Sequence, residues 1–370
     1  MPLRIADKLH MPSQSPQSAQ FQITVQPSGR VFQADVGEAI LQAAIRQGIG
    51  LPYGCKDGAC GSCKSKKLSG TVLHGHHQRK ALSPDEEAAG FILTCCGVAQ
   101  TDVVLEARQV TDESSFPVRK MPARVQSIER KTADVMVLRL QLPANDLMRY
   151  HAGQYIEFIL AGGLRRSYSM ANAGPGATPS GGAAPANPGI ELHIRHTPGG
   201  KFTDHVFGAM KEREIMRIEG PFGSFYLRED SVKPIVFLAS GTGFAPIKAV
   251  LEHMHAIGNQ RAAVLYWGGR RPADLYLDDW VRAQLALMPN LSYVPVVSDA
   301  QAQDQWQGRD GFVHRAVLQD FPDLSGHQVY ACGAPIVIDS ARADFSAHAG
   351  LPSDEFFSDA FITEADKHKD

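Results

Sequence analysis

The sequence predicts a multidomain α+β chain built from a small mixed sheet, an antiparallel β-barrel and a parallel α/β sheet. Three observations carry this. Residues 20–108 set short strand-like runs and one amphipathic stretch around a cysteine-rich loop. Residues 121–230 are many short strand-like runs broken by glycine and proline. From 231 to 370 the rhythm changes to apolar runs alternating with helical stretches. A disordered tail (1–19), a linker (109–120) and a flexible Gly/Pro/Ala-rich insertion (173–189) complete the expected organisation.

Composition fits this layout. The 370 residues are long enough for two or three cores, and 44% of them are hydrophobic. The balance of 37 basic against 39 acidic side chains gives no electrostatic case for nucleic acid or a membrane surface. MPLRIADKLHMPSQSPQSAQ has no apolar core of signal-peptide length, and no later run approaches a membrane span. A cytoplasmic protein is expected, in which thiols stay reduced and clustered cysteines bind metal or do redox chemistry. No unit shows a leftover apolar face, so a monomer is expected.

In the first unit, FQITVQP and RVFQADV read as strands joined at SG, and EAILQAAIRQGIG as a helix ending at glycine. TVLHG, a short helix at SPDEEAAG and the strand-like FILTCCGVAQTDVVLEA follow the cysteine loop. That loop, GCKDGACGSCKSKK, sets Cys55, Cys60 and Cys63 at C-x4-C-x2-C, and a fourth sulfur follows in FILTCC. This is the plant-type [2Fe–2S] spacing. Gly54, Gly58 and Gly61, with small Ala59 and Ser62, let backbone N–H groups approach the sulfurs. A structural zinc site is the competing reading, but it usually shows paired C-x2-C knuckles and only one pair is present. His74, His76 and His77 read as solvated loop residues. The stretch resembles a plant-type ferredoxin of β-grasp fold. LTC with its downstream TD matches that family's fourth-ligand segment, which implies Cys95 rather than Cys96 as the fourth ligand and leaves Cys96 as a spare in the small core.

The barrel unit runs through ARVQSIERKT, VMVLRLQLP, QYIEFILAG, RRSYSMAN, IELHIRHT and EIMRIEGPFG. In RRSYSMAN, Arg166 and Tyr168 share one face of a strand. An arginine fork can hold a phosphate, a tyrosine ring can lie along an isoalloxazine, and Ser169 can hydrogen-bond its reactive nitrogen region. Downstream, PGGKFTDHVF sets Gly200, Lys201 and Thr203 at the start of a helix, where backbone N–H groups can receive a diphosphate. Alone, R-x-Y-S is equally a plain strand.

The third unit alternates PIVFLA, RAAVLYWG, LSYVPVV and HQVYACG with helical stretches, which implies a parallel sheet covered on both faces. Its first strand runs into ASGTGFAP. Gly241, Thr242 and Gly243 let the backbone approach a pyrophosphate, and Pro246 suits the first turn of the next helix. G-x-G-x-x-P is not the Rossmann G-x-G-x-x-G.

The order of R-x-Y-S, G-x-x-T and this glycine loop resembles the ferredoxin-reductase superfamily. The resemblance implies FAD in the barrel, a nicotinamide at Gly241–Gly243, Cys332 and Gly333 of YACGAP close to the nicotinamide ring, and Phe361 over the flavin, with Asp359 at an acidic position. The plainer readings are a small buried hydrophobe for Cys332 and an edge strand for FFSDAF. Arg270 and Arg271 could attract a 2′-phosphate. Asp299 stands where NADPH-using relatives place an arginine, and this favours NADH over NADPH.

Nicotinamide delivers electrons as a hydride, two at a time, whereas a [2Fe–2S] centre accepts one; a flavin handles both. Hydride entry at Gly241, with Tyr168, Ser169 and Cys332 as catalytic candidates, makes the four cysteines the exit port. Lys56, Lys64, Lys66 and Lys67 rim it, and either guide an acidic partner or form an ordinary solubilising surface. The whole arrangement resembles the reductase components of bacterial oxygenases, and RSYSMAN, GGKFTDHVF, EGPFGSFYLRED and LASGTGFAPIK look closest to the CDP-6-deoxy-glucoseen reductase type. That resemblance implies a separate electron-accepting enzyme, a deoxysugar dehydratase or an oxygenase component. The alternatives are a stand-alone reductase of ferric chelates or flavin, and a redox sensor governed by its cluster.

Overall fold

The structure is a computed structural model and describes residues 19–107, 116–174 and 189–363. The expected tail, most of the linker and most of the 173–189 insertion lie outside them.

The first unit follows from alternation. In β1 (Gln20–Gln26) Ile23 and Val25 are buried, and in β2 (Arg30–Asp35) they find Phe32 and Ala34 on the same face. The helix α1 (Ile40–Arg46) lays Ile40, Leu41, Ala43 and Ala44 across that face. After the cysteine loop come β3 (Lys64–Ser69), β4 (Val72–His74), α2 (Pro84–Ala88), β5 (Phe91–Leu93), β6 (Gly97–Ala99) and β7 (Val103–Glu106). Helix α2 starts on a capping box, Ser83 Oγ accepting from Glu86 N and Glu86 Oε2 from Ser83 N. The main sheet has the order β2-β1-β7-β3-β5, with β1 and β7 parallel, and β4 and β6 form a separate ribbon. Strand β3 is inside this sheet, although its lysines make it read as surface.

The second unit contains β8 (Arg119–Arg130), β9 (Val135–Gln141), β10 (Tyr155–Ile159), β11 (Arg165–Ser169), β12 (Ile190–Arg195), α3 (Lys201–Gly208) and β13 (Ile215–Phe222). Its sheet runs β11-β10-β13-β8-β9-β12, all antiparallel, and a bridge between Met170 and Leu192 joins the two edges into a barrel. Leu138, Ile156, Phe158, Leu192 and Ile218 fill it, and α3 adds Phe202 and Val206.

The third unit contains β14 (Ile235–Ser240), α4 (Phe244–Ala256), β15 (Ala263–Gly269), α5 (Asp278–Leu287), β16 (Leu291–Val297), β17 (Arg309–Asp310), α6 (Val313–Asp320), β18 (Gln328–Gly333), α7 (Pro335–Ala349) and β19 (Phe356–Ala360). Its sheet is parallel throughout, in the order β17-β16-β15-β14-β18-β19. Two cores cover its faces: Phe237, Leu265 and Trp267 with α4 on one side, Val236, Leu238 and Tyr266 with Phe345 on the other.

The units are joined by specific bonds. Ser224, just beyond β13, exchanges backbone and side-chain hydrogen bonds with Tyr53 beside the cysteine loop, at 3.0–3.2 Å. The buried Lys248 of α4 reaches Glu191 of β12 at 3.1 Å and Ala171 O at 3.0 Å. No helix among the described residues is long and apolar enough to cross a membrane.

Candidate active site

The cysteine loop and the turn at Cys95 bring their sulfurs close together. The Cys55 thiol neighbours Cys60, and Cys95 neighbours both Cys63 and Cys96. The N–H groups of Cys55 and Ser62 donate to Cys60 Sγ at 3.5 and 3.4 Å. The Cys55 contact, with these N–H groups, lowers the Cys60 thiol to about 6 against burial. Among the described residues no group of three ligating side chains converges on a single ion. The C-x4-C-x2-C spacing with the later Cys95 suits a two-iron rhomb better than a zinc site, which usually shows paired C-x2-C knuckles. Gly58 is required: it has φ 77°, and a Cβ on it would stand 2.9 Å from His77 Cβ, whereas one on Gly54 would make only ordinary contact with Cys60 Sγ at 3.4 Å. Cys96 packs in the small satellite core with Leu93, and its Sγ reaches Leu93 O at 3.9 Å.

One cavity of about 1000 Å³ is shared by all three units, at the upper end of the range for cofactor sites. Gly54 and Cys55 line it from the first unit, Leu164–Ser169 and Thr197–Thr203 from the second, and Ser240, Thr242, Ala334–Ile336 and Asp359–Thr363 from the third. Tyr168 is held on its strand by ring contacts to Phe158 and Phe202, with centroids 5.9 and 5.2 Å away. Ser169 Oγ donates to Asp359 Oδ2 at 3.2 Å. Burial, with the neighbouring Cys60 charge, pushes the Asp359 carboxyl up to about 7 against that hydrogen bond. Arg342, facing Cys60 from α7, is pulled below the usual arginine range by burial. Thr203 stands in the first turn of α3, and its hydroxyl is committed to Thr197 O at 2.8 Å. Thr203 lines the cavity together with Gly200 and Lys201.

The glycine loop forms a single turn between β14 and α4, with Gly241 at φ 54°. A Cβ on Gly243 would stand 2.0 Å from Cys332 O, so the loop lies against the end of β18. Pro246 is in the first turn of α4. Arg195 at the end of β12 sends Nη1 to within 2.8 Å of a Cβ built on Gly241 and is held by Asp134 at 2.8 Å. It puts a cation from the barrel beside the glycine loop. IELHIRHT shows it only as one charge on a strand.

Several expectations are placed differently. Cys332 and Gly333 do not line the cavity: Cys332 is fully buried in the core, where burial pushes its thiol up. Phe361 and Asp359 line it even though FFSDA is an edge strand, β19. Asp299 lines a second cavity, of about 440 Å³, with Ser298, Gln301 and Trp306. Arg270 is not in that lining, and Arg271 is bound by Asp304 through two 2.7 Å contacts. The lysine rim is committed to the fold: Lys64 pairs with Glu86 at 2.5 Å, Lys67 donates to Gly70 O, Lys66 lies over Phe91, and Lys56 turns inward to Glu157 at 2.6 Å. His74 is not solvated; it is nearly buried and bonds Glu87 at 2.7 Å.

Three family models match the chain: a 2Fe-2S iron-sulfur cluster binding domain over residues 23–100, an oxidoreductase FAD-binding domain over 122–226 and an oxidoreductase NAD-binding domain over 237–343. The chain is 42% identical over 343 residues to the CDP-6-deoxy-L-threo-D-glycero-4-hexulose-3-dehydrase reductase of Yersinia pseudotuberculosis, covering 92% of this chain and 98% of that one. It is 34% identical to the reductase component 2 of terephthalate 1,2-dioxygenase from Comamonas sp, covering 92% and 97%. Among solved structures, the Amycolatopsis cytochrome P450 reductase GcoB is 29% identical with a TM-score of 0.73, covering 93% of this chain and 99% of that chain.

Proposed function

The chain belongs to the iron–sulfur flavoprotein reductases that join a [2Fe–2S] domain, an FAD domain and an NAD domain, and from that premise we propose that it passes electrons from NADH through FAD and the cluster to a separate enzyme. The observation that carries this is a cavity to which all three units contribute. When bound, the flavin supplies the exchange between a two-electron hydride and the single electrons that a [2Fe–2S] centre accepts.

The residues divide the work. Cys55, Cys60, Cys63 and Cys95 hold the cluster, and Arg166, Gly200, Lys201 and Thr203 hold the flavin's phosphates through a guanidinium and backbone N–H groups. Tyr168 and Phe361 border the isoalloxazine, and Ser169, oriented by Asp359, presents its hydroxyl beside it. Gly241–Gly243 let a second dinucleotide approach, and Arg195 faces its phosphates. Asp299, lining the smaller cavity where a carboxylate would repel a 2′-phosphate, favours NADH. Cys332 acts from behind this surface as packing that fixes the loop, not as a group in contact with the ring.

The acceptor is a dehydratase of a CDP-linked hexulose, in keeping with the 42% identical relative, rather than an oxygenase component. The protein works as a monomer in the cytoplasm, where its six free cysteines stay reduced. The test is reconstitution. With NADH, the holoprotein should support turnover of a CDP-6-deoxy-hexulose 3-dehydrase and not of a terephthalate dioxygenase oxygenase component. Turnover of only the oxygenase would reverse the assignment. Support for neither, with ferric-chelate reduction that survives loss of the cluster, would replace it with the stand-alone reading.

A further inference from the structure

The cysteine loop contains an unexpected residue between its first ligand and its first aspartate. Lys56 has φ 64°, in the left-handed region that glycine adopts freely and other residues rarely. The same loop places glycine at its other positive-φ positions, Gly58 and Gly61, where a side chain would press on His77 and Ala81. At position 56 a glycine would relieve the backbone, so a lysine there points to work for its side chain.

That side chain crosses to the barrel. Its Nζ lies 2.6 Å from Glu157 Oε1 and 3.6 Å from the centre of the Phe222 ring, with Tyr155 at 5.7 Å. The Glu157 carboxylate is almost wholly buried and also binds Arg165 at 2.7 Å. A cation clasped between a buried carboxylate and an aromatic face is well held. Beside it, Tyr155 Oη donates to Gly54 O at 2.9 Å, so both residues flanking Cys55 are fastened to the barrel that carries Tyr168 and Ser169.

We propose that Lys56 is a positioning residue: it clamps the cluster loop to the flavin barrel and sets the geometry of electron transfer between flavin and cluster, and so does not serve as a contact for the partner enzyme. The proposal rests on the function proposed above. Each such transfer oxidises the flavin by one electron and reduces the cluster by one, and its rate falls steeply with separation. Loss of the clamp frees the loop to move away from the barrel, so slower cluster reduction is expected.

The test uses the full-length holoprotein with Lys56→Gly, Lys56→Met and Lys56→Arg. Anaerobic stopped flow with NADH separates flavin bleaching from cluster reduction, and hydrogen exchange over residues 53–62 reports the clamp without reference to turnover. Lys56→Gly and Lys56→Met should load the cluster, bleach at the wild-type rate, reduce the cluster more slowly than the wild type and exchange faster at 53–62. Lys56→Arg should restore both readouts. Unchanged cluster reduction in the Gly and Met variants overturns the proposal, as does a defect seen only when an external acceptor enzyme is added. Failure of Lys56→Gly to load the cluster also overturns it, because the side chain would then serve the cluster rather than the docking. If the wild type bleaches without reducing its cluster, the functional reading itself has failed, a result distinct from all of these.

Discussion

Replacing Gly243 by alanine isolates the close approach of the glycine loop proposed to take the nicotinamide. Gly243 has φ −59° and ψ −11°, which alanine adopts without strain, so any effect is steric. The added Cβ would stand 2.0 Å from Cys332 O, 2.4 Å from Cys332 C and 2.6 Å from Gly333 Cα, all backbone atoms of a central strand. Reaching ordinary contact requires the loop and β18 to separate by about 1.4 Å, and a displacement of that size can cost on the order of a hundredfold in rate. Overpacking of this kind costs about 1–3 kcal/mol, offset by up to about 1 kcal/mol from the stiffer unfolded chain. The assay is the anaerobic rate of flavin bleaching by NADH, with dithionite-reducible flavin as the content control and a thermal melt for stability. Gly326→Ala, an exposed site with nothing within 4 Å of the new Cβ, is the reference substitution. Wild-type bleaching in Gly243→Ala would refute the reasoning, since it would mean that the nicotinamide does not use this loop.

Three further outcomes follow. Cys95→Ser should lose the cluster's visible absorption and bound iron while Cys96→Ser keeps both; the opposite pattern would move the fourth ligand by one residue. Asp299→Asn should raise kcat/KM for NADPH relative to NADH about fivefold, the roughly 1 kcal/mol expected of an exposed charge, and an unmoved ratio would remove Asp299 from cofactor choice. The Glu191–His193 pair at the barrel–α4 junction should make the fold acid-labile. Burial lowers His193 below its ordinary 6.5 despite Glu191, and Glu191, although burial raises it, is brought below 4.5 by His193, Lys248 and Arg139. Both folded-state values lie below the unfolded ones, so their stabilisation is complete above about pH 6.5; the His193 part is lost as pH falls below 6.5 through its lowered folded value, and the Glu191 part only as pH falls below 4.5 through its own. Thermal melts of wild type and Lys248→Met between pH 7 and 4 check this, and a melting temperature that is flat with pH would contradict it.

What the sequence revealed followed from spacing and periodicity. C-x4-C-x2-C and the downstream LTC place four thiols in one loop and one turn, because the ligands of a rhomb must come from a tight backbone. The parallel sheet was legible because its strands are apolar on both faces. Strand β3 was not, because Lys64, Lys66 and Lys67 carry their charge at the ends of long stems that leave room for a buried Ser65 between them. Contacts made only by folding were invisible: Arg195 against Gly241, Lys56 against Phe222, and Asp359 against Ser169, 190 residues away in the chain. Cys332 stands at the end of β18, where the resemblance expects it, and is buried in the core beside the cavity-lining Ala334.

The central claim is that hydride enters beside Gly241 and leaves as single electrons through the four cysteines. Anaerobic titration of the holoprotein with NADH, followed by visible absorption and by electron paramagnetic resonance of frozen samples, tests it most directly. Flavin bleaching together with the paramagnetic signal of a reduced two-iron centre is the predicted result. Bleaching to completion with no such signal would contradict it, because Cys55, Cys60, Cys63 and Cys95 would then not be the exit.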